Sequence, residues 1–386
     1  MRTVKLSEIF RVGSSKRVLK ADWKDSGVPF YRGREITRLS KTGVADNELY
    51  ISEEHFKILS RDYGVPVAGD IMITAIGTIG NTFVVKEEDR FYFKDASVLW
   101  LHKIDEVDTR FIDYWLKSDL FFEQLDRGNG ATVDTLTIEK LSNVTLTLPS
   151  IDRQLKIVQK LDSAFDEIES LEENLDQIEE RRTQLLGSLL SKSFKKTSIP
   201  IVPLGSVAEV IAGQSPEGTY YNASADGMAF YQGKKEFTEK FIGPPTTWTT
   251  KITKVAEPDD ILMSVRAPVG PINFTQSQIC IGRGLAAIRA GQNIDKNYLY
   301  YFLLHKQPEI SGNTGAVFDS INKDQIAAIQ VPVPPIDTQL STVANLDVAL
   351  YELNELSKNT ISRKLSASAL RKSLLSGALM DIEEVA

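Results

Sequence analysis

Two short segments of the chain combine aromatic, basic and glycine residues in the same order. Phe30–Arg34 (FYRGR) recurs as Phe230–Lys234 (FYQGK). Arginine can donate two hydrogen bonds to a guanine edge, and glutamine can form two with adenine. Glycine lets a backbone approach a phosphate closely. The paired segments therefore indicate a surface that binds nucleic acid, although ordinary turns also contain such residues.

Two further pairs of turns occupy matching places in the two halves. Ala75–Thr78 corresponds to Val265–Pro268, and Ser14–Lys16 corresponds to Gln214–Pro216. Together these segments and their basic neighbours give the residues that we expect to bind DNA. They are Ser15, Lys16, Tyr31, Arg32, Arg34 and Thr78 in the first half, and Gln214, Ser215, Tyr231, Gln232, Lys234, Lys235, Arg266 and Arg283 in the second.

Residues that could support catalysis are missing from the sequence. The Gly-x-Gly pairs at 128–130 and 282–284 lack the third glycine of a dinucleotide-binding motif, and no nucleotide phosphate loop occurs. The three histidines are isolated from one another and from Cys280, the single cysteine. We therefore expect no catalytic residue, no metal site and no cofactor in this chain. One cysteine excludes an intrachain disulfide and is typical of a reducing cytoplasm.

Charge is distributed unevenly along the 386 residues, whose formal net charge is −7. Met1–Val44 holds eleven basic and four acidic residues, and Ile261–Ile294 holds three arginines and no acid. Leu161–Arg181 instead holds nine acids and one base. The negative net charge therefore does not argue against DNA binding. No apolar run is long enough to span a membrane, so we expect a cytoplasmic protein with no membrane partner.

The chain is an internal duplication. Besides the segments above, Asp70–Gly80 matches Asp260–Gly270, and Pro149–Asp162 matches Pro334–Asp347. Gly130-Ala131 and Asp134 likewise match Gly315-Ala316 and Asp319. Each half begins with a globular part, residues 1–150 and 197–335, whose short apolar runs and turns predict an α+β domain.

A long helix follows each globular part, in residues 151–196 and 336–386. Apolar residues repeat there at coiled-coil spacing. The predicted seam contains Leu161, Ile168, Leu171, Leu175, Ile178, Leu185 and Leu189 in the first helix, and Leu346, Leu353, Leu356, Leu370 and Leu374 in the second. A single buried helix in a bundle would be the alternative. Both helices are acidic first and basic later, so an antiparallel pair avoids like-charge contacts. The fold class is thus two similar α+β domains separated by two long antiparallel helices, with pseudo-two-fold symmetry.

This organisation resembles the specificity subunit of type I restriction–modification systems. Leu148–Gln154 (LPSIDRQ) and Val333–Gln339 (VPPIDTQ) are similar to the PLPPLxEQ motif that opens that family's helical regions. Asp152 and Asp337 stand where glutamate is common.

The resemblance implies a division of labour. Each globular part would be a target-recognition domain that reads one half of a bipartite site in double-stranded DNA. The helices would set the spacer and bind two adenine methyltransferase subunits, and two motor–nuclease restriction subunits would join. S-adenosylmethionine, ATP and Mg²⁺ would then bind those partners. The alternatives are a coiled-coil scaffold that binds only proteins, and a methyltransferase fragment that itself binds S-adenosylmethionine.

Overall fold

The computed structural model of the chain describes residues 1–125, 135–195, 199–311 and 320–383. The repeat matches at Gly130-Ala131, Asp134, Gly315-Ala316 and Asp319 lie outside the described residues. The chain forms two compact units, which contain Met1–Leu175 with Ser362–Ala386, and Asp176–Ile361. No helix in the described part of the chain combines the length and the apolar character that a membrane span needs.

Unit 1, the first of these, is an α+β domain followed by a long helix. Its strands are Arg2–Lys5 (β1), Phe10–Gly13 (β2), Val28–Tyr31 (β3), Tyr50–Ile51 (β4), Ile71–Thr74 (β5), Thr82–Val84 (β6), Tyr92–Phe93 (β7), Val98–Lys103 (β8) and Thr145–Leu148 (β9). Its helices are Leu6–Ile9 (α1), Gly33–Thr42 (α2), Glu53–Tyr63 (α3), Thr109–Leu116 (α4), Asp119–Leu125 (α5), Ile138–Asn143 (α6) and the start of Ile151–Phe194 (α7).

Unit 2 repeats this arrangement. Its strands are Ile201–Pro203 (β10), Ala208–Ala212 (β11), Tyr221–Asn222 (β12), Met228–Tyr231 (β13), Trp248–Thr249 (β14), Val255–Ala256 (β15), Ile261–Ser264 (β16), Ile272–Phe274 (β17), Ile279–Ile281 (β18), Leu285–Ala290 (β19) and Gln330–Pro332 (β20). Its helices are Lys296–Ile310 (α8), Lys323–Ala327 (α9) and the start of Ile336–Glu383 (α10).

Strand order confirms the duplication. The main sheet runs β2-β8-β5-β6 in unit 1 and β11-β19-β16-β17 in unit 2. The second sheet contains β4-β3-β7 in unit 1 and β12-β14-β13-β18-β15 in unit 2, and in both cases it includes a parallel pair (β3 with β7, β13 with β18). In each unit the first strand pairs with the last, β1 with β9 and β10 with β20. The predicted pair of similar α+β domains is therefore confirmed.

The aspartates that begin the two repeated segments, Asp70 and Asp260, are both buried and accept hydrogen bonds. Asp70 is fully buried and accepts hydrogen bonds from the indole of Trp100 (2.7 Å) and the backbone N–H of Lys103 (3.0 Å). Asp260 is equally buried and accepts two from the guanidinium of Arg289, at 2.9 and 2.8 Å. A buried carboxylate without such donors would be strongly unfavourable. These aspartates therefore fix the start of the central strands β5 and β16.

A buried glutamine fixes the start of each long helix to its own domain. The side-chain amide of Gln154 donates to the carbonyl of Pro149 (2.8 Å) and accepts from the backbone N–H of Asp108 (2.9 Å). Gln339 makes the same two contacts, with Pro334 and Asp295. Asp108 and Asp295 in turn cap the N-termini of α4 and α8. The glutamine of the repeated motif is therefore a structural residue.

Replacing either glutamine by alanine is expected to lower the free energy of unfolding by about 1–3 kcal/mol, because buried donors and acceptors lose their partners. Chemical denaturation of the full chain measures this. Gln159→Ala is the control, since Gln159 is exposed on the same helix and exposed substitutions usually change stability by less than about 0.5 kcal/mol. Equal stability of Gln154→Ala and Gln159→Ala would contradict the structural role.

Within each unit, segments of the two long helices run antiparallel. In unit 1, Leu375 and Leu379 of α10 belong to the same core as Val158 of α7, and farther along α7 Glu172 forms an ion pair with Arg371 (3.8 Å). In unit 2, the core joins Leu190 of α7 to Leu346 of α10. In unit 1 a later position of one helix thus meets an earlier position of the other, which confirms the antiparallel prediction.

The observed burial agrees with the predicted seam at eight of its twelve residues and contradicts it at four. Leu161, Ile168, Leu175, Leu346 and Leu353 are buried, and Ile178, Leu189 and Leu374 are partly buried. Leu171, Leu185, Leu356 and Leu370, however, are 41 to 51% exposed. The intervening seam positions lie one residue later and include Phe165, Glu172, Leu186, Leu350 and Arg371, which are all partly buried.

This error has a physical reason. Leucines at the neighbouring positions gave a plausible heptad, whereas two of the true positions carry charged residues that pair with each other, Glu172 and Arg371. Thr360, seven residues after Leu353 on α10, is 2% exposed. Its hydroxyl donates to the carbonyl of Leu356 (3.0 Å), so it packs without an unsatisfied polar group.

Candidate nucleic-acid interface

A small cavity in unit 2 collects several of the residues predicted to bind DNA. Its volume is about 220 Å³. It lies where three loops meet, after β13, after β16 and between β18 and β19. The lining residues are Gln232, Gly233, Lys234, Ser264, Arg266, Ala267, Arg283 and Gly284.

Glycines allow the loops around this cavity to approach one another. A Cβ atom on Gly284 would lie 2.3 Å from the carbonyl oxygen of Gln232, and one on Gly213 would lie 2.1 Å from that of Gly282. Both distances are far below van der Waals contact, and the obstructing atoms are backbone atoms. Only glycine therefore fits at these two positions.

Hydroxyl groups hold the same loops in place. Ser215 accepts a hydrogen bond from the backbone N–H of Arg283 (3.0 Å). The hydroxyl of Ser264, at the end of β16, lies 3.2 and 3.1 Å from the carbonyl oxygens of Arg266 and Pro268. The backbone that carries Arg266 and Arg283 is thus fixed, while their side chains are exposed.

The cations at this cavity have no acidic partner among the residues that the structure describes. Lys234, Arg266 and Arg283 are all exposed, and no ion pair joins any of them to a described carboxylate. No carboxylate lines the cavity either. Three positive side chains around a concave surface attract an anion or a group of hydrogen-bond acceptors.

The other predicted residues of unit 2 divide into two kinds. Gln214 and Lys235 are exposed near the cavity without lining it. Tyr231 is buried, and its hydroxyl donates to the carbonyl of Gly243 (2.9 Å). Burial, reinforced by the negative charge of Glu236, raises the pKa of Tyr231 to about 12. Tyr231 therefore supports β13, and its hydroxyl is already engaged.

In unit 1 the corresponding cations are paired. Arg32 donates two hydrogen bonds to Glu35, at 3.1 and 2.8 Å, and Arg34 donates one at 2.6 Å. Arg34 also forms an ion pair with Glu48. Glu35 is 1% exposed. Burial alone would raise its pKa, but the hydrogen bonds from the two arginines outweigh burial and lower it. The arginines thus neutralise a buried carboxylate at the start of α2.

The remaining residues predicted to bind DNA in unit 1 have separate environments in the structure. The hydroxyl of Ser15 donates to the carbonyl of Phe93 (2.7 Å), and Tyr31 stacks on Phe91 with ring centroids 4.5 Å apart. Lys16 is exposed, with its ammonium 5.4 Å from the ring centroid of Tyr63. Thr78 is exposed in the turn after β5.

Sequence reasoning missed the residues that support or neutralise these sites. Glu35 follows Arg32 by three positions, a spacing that places both side chains on one helix face. The sequence alone could therefore have predicted this ion pair. Gly213 could not be found in the same way, because its role depends on contact with Gly282, far along the chain. Within residues 1–125, 135–195, 199–311 and 320–383, no group of three acidic, histidine or cysteine side chains could hold a metal ion.

Comparison with known proteins gives consistent matches. The family described as the type I restriction modification DNA specificity domain matches residues 1–180 and 199–366. The specificity subunit named for the type I restriction enzyme MjaX of Methanocaldococcus jannaschii is 28% identical over 323 residues, which cover 77% of this chain and 76% of that protein.

Two solved structures share the fold. One, described as revealing complex assembly and conformational transition of the type I R-M system, has a TM-score of 0.81 at 24% identity and covers 98% of this chain and 97% of its own. The HsdS subunit from Thermoanaerobacter tengcongensis has a TM-score of 0.57 at 23% identity, with coverage of 98% and 96%.

Proposed function

Because the chain belongs to the type I restriction–modification DNA specificity family, and is therefore a non-catalytic subunit that reads DNA, we propose how the reading is divided along it. Residues 1–150 and 197–335 are the two target-recognition domains, and each reads one half of a bipartite site. Residues 151–196 and 336–386 are the helical regions that set the distance between the half-sites.

The observation that carries this proposal is the cavity in unit 2. It presents cationic side chains without acidic partners in the described part of the chain, on loops fixed by glycines and by Ser215 and Ser264. DNA offers phosphates and base-edge acceptors, which such side chains bind. In unit 1 we propose that Ser15, Lys16 and Thr78 face DNA, while Tyr31, Arg32 and Arg34 act mainly by shaping the loops.

Exposed leucines on the long helices support two equivalent partner sites. Leu155, Leu171 and Leu185 of α7 have counterparts 185 positions later in α10, at Leu340, Leu356 and Leu370. All six are 41 to 51% exposed. Exposed apolar side chains that recur at equivalent positions of two related helices are suited to an interface. We propose that each set binds one methyltransferase subunit, so that the complex contains two of them.

The partners carry the chemistry in this proposal. Two restriction subunits, the motor–nucleases, join the methyltransferases, and S-adenosylmethionine, ATP and Mg²⁺ bind to these partners. The chain itself supplies target choice and geometry.

The proposal predicts salt-sensitive binding to target DNA by the complex with methyltransferase. Log affinity should fall by about 0.9 per neutralised phosphate for each unit of log salt concentration. A variant with alanine at Lys234, Arg266 and Arg283 should show a shallower slope, measured by fluorescence anisotropy between low and moderate salt. Arg61→Ala is the control, because Arg61 is exposed but already paired with Asp62. A flat response of the parent complex would favour the protein-only scaffold.

A further inference from the structure

The cavity in unit 2 is lined by side chains that mostly donate hydrogen bonds. Arg266, Arg283 and Lys234 carry donors and no acceptors. The carbonyl of Gln232, which faces the same loops, already accepts from the backbone N–H of Gly284 (3.1 Å). Among the lining side chains, the carboxamide of Gln232 and the hydroxyl of Ser264 also carry acceptors. The ligand that fits this cavity therefore offers acceptors.

Base edges in the major groove differ in this respect. Guanine presents two acceptors side by side, N7 and O6, whereas cytosine presents a donor and adenine presents one of each. A cytosine edge presents a donor that Glu or Asp side chains usually bind, and no carboxylate lines the cavity. Among the bases, guanine thus matches the cavity best.

Arg283 is the residue best placed to read such an edge. It lies between two glycines, Gly282 and Gly284, whose missing Cβ atoms let the backbone pack against Gln232. Its backbone N–H is held by Ser215 at 3.0 Å. Arg283 therefore projects from a rigid turn, and rigidity is what a bidentate contact to a base requires. Arg266 and Lys234 flank it from two other loops.

Unit 1 differs at the same place. The loop between β7 and β8 is one residue longer than the loop between β18 and β19, and it carries Asp95 and Ala96 where unit 2 carries Arg283. A carboxylate there accepts hydrogen bonds and does not match a guanine edge. Unit 1 has no arginine in this loop.

We propose that the cavity of unit 2 receives the major-groove edge of a guanine in the second half-site, with Arg283 donating to N7 and O6 and with Arg266 and Lys234 neutralising adjacent phosphates. This inference rests on the proposed function, because it needs unit 2 to read a half-site. Phosphate alone shares the same acceptor chemistry, so the test separates the two sources.

The test uses the intact complex with its methyltransferase partner. Methylation mapping first gives the target, and each guanine of the second half-site is then replaced, one at a time, by 7-deazaguanine, which lacks the N7 acceptor. We expect one replacement to weaken binding roughly fivefold to a hundredfold. Arg283→Ala should weaken binding to the same extent, and the same replacement should then have almost no further effect. Arg61→Ala should retain the full loss on replacement.

Three outcomes would overturn the guanine assignment. A second half-site without any G·C pair is one, and an Arg283→Ala variant that binds like the parent is another. The third is an Arg283→Ala variant that weakens all DNA sequences alike and keeps the full effect of 7-deazaguanine, since this identifies a phosphate contact. In each case salt-sensitive, target-specific binding by the parent complex would leave the proposed function intact. Circular dichroism melting confirms that the exposed substitution leaves the fold unchanged.

Discussion

Leu161→Asp should destabilise the chain by at least about 3 kcal/mol, whereas Leu171→Asp should leave its stability nearly unchanged. Leu161 is 3% exposed in the seam, so the substitution removes a buried apolar side chain and leaves a carboxylate without water or a partner. Leu171 is 41% exposed, so a charge there remains hydrated. The two residues are of the same type and lie on the same helix, which makes them a matched pair.

The internal repeat supplies a second, independent pair. Leu346→Asp should behave like Leu161→Asp, because Leu346 is 2% exposed and part of the core of unit 2. Leu356→Asp should behave like Leu171→Asp. Chemical denaturation measures stability, and co-purification with the methyltransferase measures assembly. We expect the two exposed variants to fold normally but to bind the methyltransferase weakly. Similar destabilisation by Leu161→Asp and Leu171→Asp would contradict the seam described above.

A fragment that ends near Lys196 should form a symmetric dimer and direct methylation to an inverted repeat of the first half-site. In the intact chain, Leu375 and Leu379 complete the core of unit 1. Leu190 and Phe194 occupy the matching positions of α7, 185 residues earlier. A second copy of the fragment can therefore supply two apolar side chains where α10 supplied two. A dimer of this kind presents the same reading domain on both arms.

One position of the seam distinguishes the fragment dimer from the intact chain. Glu172 pairs with Arg371 in unit 1, and the matching position of α7 is Leu186. In the fragment dimer Glu172 loses its cation, which weakens the dimer. Glu172→Leu should therefore tighten it, and Leu190→Asp should abolish it. Sedimentation of the three fragments measures this order, and methylation mapping with the partner reads the target. A dimer that methylates the original asymmetric site would refute the assignment of one half-site to each domain.

The sequence could predict those structural features that arise from neighbouring residues or from repeated segments. The duplication and the two long helices followed from segments that recur in the same order, such as Pro149–Asp162 and Pro334–Asp347. The phase of the heptads could not be predicted in this way. Leu171 and Leu370 stand beside the charged residues that occupy the seam, and leucine is the residue expected there. The ion pair of Glu172 with Arg371 makes those charged positions tolerable. It joins residues far apart in the chain, so spacing alone could not reveal it.

The candidate site shows the same limit. Arg283, Arg266 and Lys234 were predicted because basic residues beside glycine can bind DNA, and the structure places them around one cavity. The same reasoning proposed Arg32 and Arg34, which the structure pairs with Glu35. Basic residues beside a glycine occur in both halves. What differs is a carboxylate one helical turn away, and its burial is a property of the folded domain.

The pairing of first and last strands makes each reading domain a cassette. Arg2 pairs with Leu148, and Ile201 with Pro332, so the chain enters and leaves each domain at neighbouring points. Opposed residues of antiparallel strands lie only about 4.5–5.5 Å apart. Recombination at two sites in the gene, one before each domain and one at the motif that contains Gln154 or Gln339, would therefore exchange a whole domain while keeping its attachment to the helix. With one half-site read by each domain, as proposed above, such an exchange would change half of the DNA target in one genetic event.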